Sequence, residues 1–342
     1  MRQNPSQWIV RRSEKKLASM QKKKPVKYHI GHRAVHLAAL AYASVSRLFP
    51  LEIWLLIGKY LGRFFYILDF AHRRISRRNL RFAFGNQKDA REIETIAGKS
   101  FEQFGMTGNE WVLLRYMSKQ MLRSLVQVEG KEHLDAARRK SRSVILLGAH
   151  FGNWEYAHAY YASTINKLNF IVRSIDNPLL EKERVLNNQR FGVRILYKEN
   201  GLRQAIRRLK NGEDLVIFAD RKQTFTRDIP CRFFDRKTST MTLVPVLARK
   251  YRVPVVPMFI VRDEDLVHHR LLFFPELEVR YDDDKEQCIS EAAQRQSNMI
   301  ETIIKSHPDH WAWLHKRWKR DYPSLYPEDM ARRARKNTKR NR

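Results

Sequence analysis

The sequence predicts an α/β protein with a largely parallel central sheet flanked by helices, preceded by an N-terminal helical hairpin. Two observations favour this fold class. From Ser143 onward, short runs rich in Val, Ile and Leu alternate with longer amphipathic stretches, and such alternation is typical of strand–helix units that build a parallel sheet. Before that region, two mainly apolar stretches lie on either side of Pro50. They are long enough for a pair of helices.

The predicted hairpin occupies residues 28–70 and contains both apolar stretches, 34–49 and 50–70. A bilayer-crossing helix needs about 20 uncharged residues, whereas the longest uncharged run here has 13. Lys59 and Arg63 lie among aromatic residues, a mixture that suits helices in the headgroup region of a membrane. We therefore expect a membrane-associated hairpin that does not cross the bilayer. One short span and an ordinary buried hairpin are the alternatives.

The remaining elements follow from the spacing of apolar residues. Residues 87–126 have helical spacing behind an acid-rich start, which suits a helix N-terminus. Beyond them, strands are expected at residues 143–147, 168–173, 193–197, 215–219, 253–261 and 271–279, and helices at residues 154–164, 179–191, 202–210, 242–251 and 285–305. One main domain, residues 71–330, would hold all of these elements.

The chain is strongly basic, with 66 Lys and Arg against 36 Asp and Glu and a formal net charge of +30. Half of this excess lies in an N-terminal arm, residues 1–27, and a C-terminal tail, residues 331–342. Such segments bury too little apolar surface to order themselves, and they favour polyanions such as anionic lipid or nucleic acid. Solubilising tails are the alternative. No secretory signal is evident at the start, so an intracellular location is expected.

The candidate catalytic residues are His150 and Glu155, within the segment Gly-Ala-His-Phe-Gly-Asn-Trp-Glu. The pair follows the first predicted strand of the alternating region, and open α/β sheets bind ligands at the carboxyl edge. A carboxylate placed against one imidazole nitrogen fixes the tautomer, and the other nitrogen then accepts a proton from a hydroxyl. Of the 12 histidines, only His150 has Glu at this spacing. The motif predicts a general base with its orienting carboxylate; a surface histidine beside an unrelated glutamate is the alternative.

Other chemistries have little support in the sequence. There is no Gly-x-Ser-x-Gly elbow and no Walker or Rossmann glycine loop. The two cysteines, Cys231 and Cys288, are too few for a disulfide framework or a Cys-rich zinc site. Several further histidines lack carboxylate or thiol companions at ligand spacing: His268, His269, His307, His310 and His315. We expect neither a metal nor a cofactor.

The octapeptide around His150 resembles the acyltransfer motif of the bacterial lipid A biosynthesis lauroyl/myristoyl acyltransferases, within the lysophospholipid acyltransferase-like superfamily. Further blocks agree with that family in order, over about residues 30–320. They are Arg73-Arg74 to Asn79-Leu80, Arg173 with Asn177-Pro178, Arg190-Phe191-Gly192, 202–212, Ala219-Asp220, 230–234, 247–257 and 311–319. The chain departs from the family pattern at Arg221, where Gln is usual, and over residues 235–240.

The resemblance implies transfer of a fatty acyl group from acyl-acyl carrier protein to a hydroxyl of a Kdo-lipid A precursor. This reaction belongs to lipopolysaccharide biosynthesis, at the cytoplasmic face of the cell inner membrane, and residues 71–330 would be the acyltransferase domain. His150 and Glu155 would be catalytic. The residues expected to contact substrate are Arg173, Arg190, Asp220 and Asn153.

The expected partners are all acidic: acyl-acyl carrier protein as donor, a phosphorylated glycolipid as acceptor, and an anionic membrane. They suit the net charge of the chain, because a positive field speeds association with acidic partners. No nucleic acid is then expected. Three alternatives stay open: the same chemistry on another lipid acceptor such as a glycerol phosphate or other glycolipid, a nucleic-acid-binding protein, and a membrane scaffold without activity.

Overall fold

The computed structural model describes residues 30–221 and 228–330. The predicted basic arm and basic tail, 1–27 and 331–342, lie outside these residues. The helices are α1 (Ile30–Val45), α2 (Leu51–Leu68), α3 (Phe70–Phe84), α4 (Ala90–Leu113), α5 (Lys119–Leu125), α6 (Lys131–Lys140), α7 (Trp154–Thr164), α8 (Pro178–Phe191), α9 (Lys198–Lys210), α10 (Leu243–Tyr251) and α11 (Lys285–Ser306).

The strands are β1 (Val126–Glu129), β2 (Ile145–Gly148), β3 (Leu168–Val172), β4 (Val193–Tyr197), β5 (Asp214–Phe218), β6 (Asp228–Phe233), β7 (Arg236–Met241), β8 (Val255–Arg262) and β9 (His269–Phe273). Within the described part of the chain, seven of them form one sheet in the order β1-β9-β8-β2-β5-β3-β4. All neighbours in it run parallel except β8 and β9. The predicted fold class, α/β with a largely parallel central sheet, is confirmed.

Both helices of the expected hairpin are present, and α2 packs closely on α4. A Cβ added at Gly62 would lie 2.1 Å from the carbonyl oxygen of Phe101, and one at Gly105 would lie 2.1 Å from that of Gly58. Trp54 is buried and donates from Nε1 to the Asn109 carbonyl at 3.1 Å. This half of the hairpin is therefore continuous with the folded core.

The opposite surface of these N-terminal helices is exposed and rich in large apolar side chains. They include Leu37, Ile53, Tyr60, Phe64, Phe65, Ile67, Leu68 and Phe70. No described helix has both the length and the apolar character needed to span a membrane. The membrane association of residues 28–70 stays a prediction, as does the domain boundary at residue 71.

Three features differ from the sequence prediction. The helix expected over 87–126 is divided into α4 and α5, and Ser118 caps the second by accepting from the Met121 amide. Strand β1 and helix α6 were not predicted, because a four-residue strand shows little periodicity. Strands β6 and β7 form a separate antiparallel pair. Their polar residues are buried by residues that are distant in sequence; Gln296 of α11, for example, donates to Thr240 at 3.0 Å.

Candidate active site

His150 and Asp220 meet because two neighbouring parallel strands end side by side. Gly148, the last residue of β2, is in register with Phe218, the last residue of β5, and each functional residue comes two positions later. Nδ1 of His150 lies 3.0 Å from Oδ1 of Asp220, and the His150 amide donates to Oδ2 at 3.1 Å. The carboxyl edge of the sheet thus holds a histidine and a carboxylate in direct contact.

The carboxylate at Nδ1 belongs to Asp220, whereas the sequence predicted Glu155 there. Burial by itself raises the pKa of Asp220. The interaction with His150 and the hydrogen bond from the Trp311 indole at 3.0 Å have the larger combined effect, and they hold the pKa of Asp220 well below its usual range. An ionised carboxylate only accepts hydrogen bonds, so Nδ1 of His150 carries the proton. Nε2 is left as the basic nitrogen.

The turn that presents His150 depends on Gly152. Its φ is +56°, and an added Cβ would lie 1.9 Å from the Ile260 carbonyl oxygen, so no side chain fits. The Gly152 amide donates to the His310 carbonyl at 2.9 Å. These contacts fix the turn against β8 and against the segment after α11.

His150 lies in the wall of a cavity of about 540 Å³, which is lined by apolar side chains and by arginines. Glu155 belongs to the same wall. This glutamate lies in the first turn of α7 and accepts from the neighbouring Trp154 indole at 3.2 Å. Burial raises the pKa of Glu155, and the charge of Arg184 only partly opposes that rise. Its carboxyl group accordingly protonates more readily than an exposed one.

Three arginines line this cavity: Arg173, Arg184 and Arg221. Arg173 was predicted, and its side chain is 74% exposed at the rim. Arg184 was missed; it is largely buried, pairs with Glu181 at 2.7 Å and donates to the Arg173 carbonyl at 3.0 Å. Anionic groups of a ligand would meet these guanidinium groups within reach of His150.

The comparisons with known proteins identify the family of the chain. The model of the family described as bacterial lipid A biosynthesis acyltransferase matches residues 20–320. The chain belongs to that family. It is 27% identical over 246 residues to the lipid A biosynthesis palmitoleoyltransferase of Escherichia coli K12, covering 72% of this chain and 78% of the relative. It is 26% identical over 277 residues to the lauroyltransferase of the same strain, covering 79% and 86%.

A lipid A biosynthesis acyltransferase of Shigella flexneri is also 27% identical over 246 residues, with coverage of 72% of this chain and 78% of that protein. The chain is therefore an acyltransferase of lipid A biosynthesis. The residue that departs from the family pattern, Arg221, is the third arginine of the cavity; it approaches Nε2 of His315 at 3.3 Å.

Three residues predicted to contact substrate have other positions in this acyltransferase. The side chain of Asp220 is fully buried and faces Nδ1 of His150. Arg190 lies outside the cavity wall, where its guanidinium donates to the carbonyl groups of Leu114 and Met117, at 3.3 and 3.4 Å, just after α4. Asn153 is only 1% exposed and caps α7 by accepting from the Tyr156 amide at 3.0 Å. All three side chains are bound within the protein, so we assign them to positioning rather than to substrate contact.

The turn that carries His150 is anchored to a buried ion pair. Asn153 donates from Nδ2 to Oε2 of Glu110 at 2.7 Å. Glu110 also accepts from Nη1 of Arg262 at 2.6 Å, and both side chains are almost fully buried. Asn153 is therefore connected to α4 through Glu110 and, through Arg262, to the central strand β8. This anchor links the pairs His150–Asp220 and Glu110–Arg262 through one turn.

His315, one of the histidines that lack companions at metal-ligand spacing, borders the site. Its ring centroid lies 5.3 Å from that of His150. Burial lowers the pKa of His315 to about 3, and the charges of Arg221 and His150 act in the same direction. The ring is therefore neutral at physiological pH. Its Nε2 can accept from Arg221, which keeps that guanidinium beside His150.

Proposed function

We propose that this enzyme moves a fatty acyl group from acyl-acyl carrier protein to a hydroxyl of a Kdo-lipid A precursor, with His150 as general base. The observation that carries this proposal is the contact between His150 and the ionised Asp220 in the wall of a cavity lined by arginines. The relatives' names, palmitoleoyltransferase and lauroyltransferase, support a fatty acyl group as the cargo.

In the proposed reaction Nε2 of His150 takes the proton of the acceptor hydroxyl as its oxygen attacks the thioester carbonyl carbon. The imidazolium that forms is stabilised by Asp220, as in other histidine–carboxylate pairs. The tetrahedral intermediate then loses the thiolate, which receives the proton from His150. The new ester bond replaces the C–S bond in one direct transfer, without an acyl-enzyme.

Glu155 and the arginines have separate roles in this scheme. Glu155 shares the wall with His150 and would hold the reacting hydroxyl against Nε2. Arg173 and Arg184 would bind phosphate or carboxylate groups of the acceptor, since guanidinium groups pair with such anions in bidentate fashion. Arg221, held by His315, lines the same cavity as His150 and would stabilise the oxyanion.

The enzyme is proposed to act at the cytoplasmic face of the inner membrane. Apolar and aromatic side chains cover the outer surface of α2, including Tyr60, Phe64 and Phe65, and Lys59 and Arg63 belong to the same helix. Such a surface suits the headgroup region of an anionic membrane. The net charge of +30 also favours encounter with an acidic carrier protein.

The test uses the full chain in detergent micelles with acyl-acyl carrier protein and a Kdo-lipid A precursor. His150→Ala should lower acyl transfer by about 10²–10⁴-fold, the usual contribution of a general base. The matched control is His268→Ala, since His268 also pairs through Nδ1 with an aspartate, Asp265, at 2.6 Å, but is exposed. This control should keep wild-type activity.

Near-normal transfer by His150→Ala would refute the base assignment. The acceptor is tested separately by replacing the Kdo-lipid A precursor with a precursor that lacks Kdo, and with a glycerol phosphate lipid. We expect both to be poor substrates. Equal use of either would leave the chemistry of His150 intact and overturn the proposed acceptor.

A further inference from the structure

Helix α9 has a line of basic side chains on its outer surface. Arg203, Arg207 and Lys210 are exposed and recur at spacings of four and three residues, so they share one face of the helix. The opposite face, which includes Ala205 and Leu209, is buried, and the helix packs on β3, β4 and β5. Helix α9 therefore presents a cationic face to solvent.

The charges on this face are not neutralised within the part of the chain that the structure describes. Neither Arg203, Arg207 nor Lys210 forms an ion pair there. The sequence of the helix contains five basic residues and one acidic residue. Glu213, which follows the helix, already pairs with two other arginines. The excess positive charge is therefore available to an acidic partner.

The cationic face continues onto the neighbouring helix, α10. The ammonium groups of Lys210 and Lys250 lie over the ring of Tyr251, at 5.7 and 5.5 Å from its centroid. Lys250 is also exposed. The α9 surface is defined by these four cations: Arg203, Arg207, Lys210 and Lys250.

The first turn of α9 borders the cavity that contains His150. An added Cβ at Gly201 would lie 3.2 Å from Cγ2 of Ile171, and Ile171 belongs to the cavity wall. Arg203 follows two residues later in the same helix. Because an α-helix rises about 1.5 Å per residue, Lys210 lies about 10 Å further along the axis. The α9 surface thus begins beside the cavity and extends away from it.

Helices α8 and α9 lie on opposite faces of the central sheet. Helix α8 connects β3 to its neighbour β4, whereas α9 returns from β4 to β5, on the other side of β3. Since parallel connections are right-handed, this reversal of direction places the two helices on different faces. Arg184 of α8 lines the cavity, and Asn177, which caps α8, donates to the His32 carbonyl of α1 at 3.1 Å. The hairpin therefore adjoins the α8 face.

We propose that the α9 surface docks the carrier protein of the acyl donor. This inference rests on the proposed function. A lipid acceptor comes from the membrane and is expected at the α8 face, where Arg184 lies beside the hairpin, which leaves the α9 face for a soluble donor. Acyl carrier protein is acidic and complements the charge of this surface. It holds its thioester on a flexible prosthetic arm, so docking beside Ile171 brings the thioester to the cavity of His150.

The experiment varies the concentration of acyl-acyl carrier protein at saturating Kdo-lipid A precursor, with the full chain in detergent micelles. Combined replacement Arg203→Glu and Arg207→Glu should raise the KM of acyl-acyl carrier protein by about tenfold or more. It should leave kcat unchanged, because the donor reacts as before once it is bound. Added salt should raise the wild-type KM in the same direction, since it screens exposed charges.

The matched control is the pair Lys119→Glu and Arg139→Glu. These residues of α5 and α6 are exposed and do not line the cavity, and their replacement changes the net charge by the same amount. The KM of the control should stay near the wild-type value. Arg207→Gln, which removes one charge without adding another, should give a smaller rise than the double replacement, and it decides alone if the latter fails to fold.

Three outcomes would overturn this inference: an unchanged KM in the α9 variants, an equal rise in the control, or a fall in kcat without a rise in KM. Binding to vesicles of anionic phospholipid is measured for the same proteins. If the α9 variants lose vesicle binding but keep the KM of the donor, the surface contacts the membrane instead. A wild-type enzyme that uses acyl-pantetheine but not acyl-acyl carrier protein would refute the proposed donor itself.

Discussion

Replacement of Asp220 by Asn would test the histidine–carboxylate pair most directly. The change keeps the size of the side chain but removes the charge that faces Nδ1 of His150 at 3.0 Å. An asparagine amide can donate to Nδ1, which would favour the wrong tautomer and leave no basic Nε2. Loss of the orienting carboxylate in comparable pairs costs up to about 10⁴ in kcat. We expect a fall of about 10²–10⁴.

The same substitution has a calculable effect on stability. The Asp220 carboxylate accepts from the His150 amide at 3.1 Å and from the Trp311 indole at 3.0 Å, and hydrogen bonds to charged groups contribute about 1.5–3 kcal/mol each. Because the folded state holds the pKa of Asp220 below its usual range, this contribution is complete above about pH 4 and declines as the pH falls further. The destabilisation by Asp220→Asn should therefore be larger at pH 7 than near pH 3.

The assay measures kcat at saturating acceptor, and urea unfolding at both pH values gives the free energy of unfolding. Asp214→Asn is the matched control, since Asp214 is also buried and begins β5, the strand that Asp220 follows, but it binds Arg138 and does not line the cavity. It should lose stability and keep kcat per folded molecule. A kcat for Asp220→Asn within threefold of wild type, with the control also active, would refute the role given to Asp220.

Three further predictions concern the residues that position the site. Gly152→Ala should destabilise the protein by about 3 kcal/mol or more, because Gly152 has a positive φ and an added Cβ would collide with a carbonyl group of β8. A loss of less than about 1 kcal/mol in the free energy of unfolding, measured by thermal unfolding, would contradict this prediction. Glu110→Gln should cost about 3–5 kcal/mol in urea unfolding because it leaves the buried Arg262 without its carboxylate; an unchanged midpoint would contradict it. Arg190→Ala should lower the free energy of unfolding by about 1–2 kcal/mol through lost hydrogen bonds and leave the KM of the acceptor unchanged. Arg221→Ala, by contrast, should lower kcat. A lower kcat for Arg190→Ala together with an unchanged kcat for Arg221→Ala would contradict both assignments.

Much of the α/β region could be predicted because its signals are local. Helix α7 and strand β4 begin and end where the spacing of apolar residues predicts, and most other bounds differ by a few residues. The pair β6–β7 could not be predicted, because Arg236–Met241 is polar in sequence and is buried through contacts with α11 and with Asp321 after it. Burial of that kind depends on residues more than 50 positions away.

The candidate site shows the same division between local and distant information. His150 was found because its motif is contained in one turn, but its carboxylate partner depends on the adjacency of β2 and β5, which the order of elements along the chain does not specify. Arg184 and Arg190 lie on one helix, α8, six residues and hence about 120° apart around its axis. The resemblance to the family identifies the block Arg190-Phe191-Gly192 at the end of this helix, whereas Arg184, which lines the cavity, falls between the matching blocks.

The neutral state of His315 allows a cation at position 221, where the resemblance implies Gln. The Arg221 guanidinium lies 3.3 Å from Nε2 of His315. Two cations at that distance would repel each other, so the arrangement requires a histidine without charge, and burial lowers the pKa of His315 to about 3. The site can then hold a third arginine close to His150 because its neighbour accepts a hydrogen bond. The basic composition of the chain thus extends to the reaction centre, where we expect the added charge to favour a phosphorylated acceptor and the developing oxyanion.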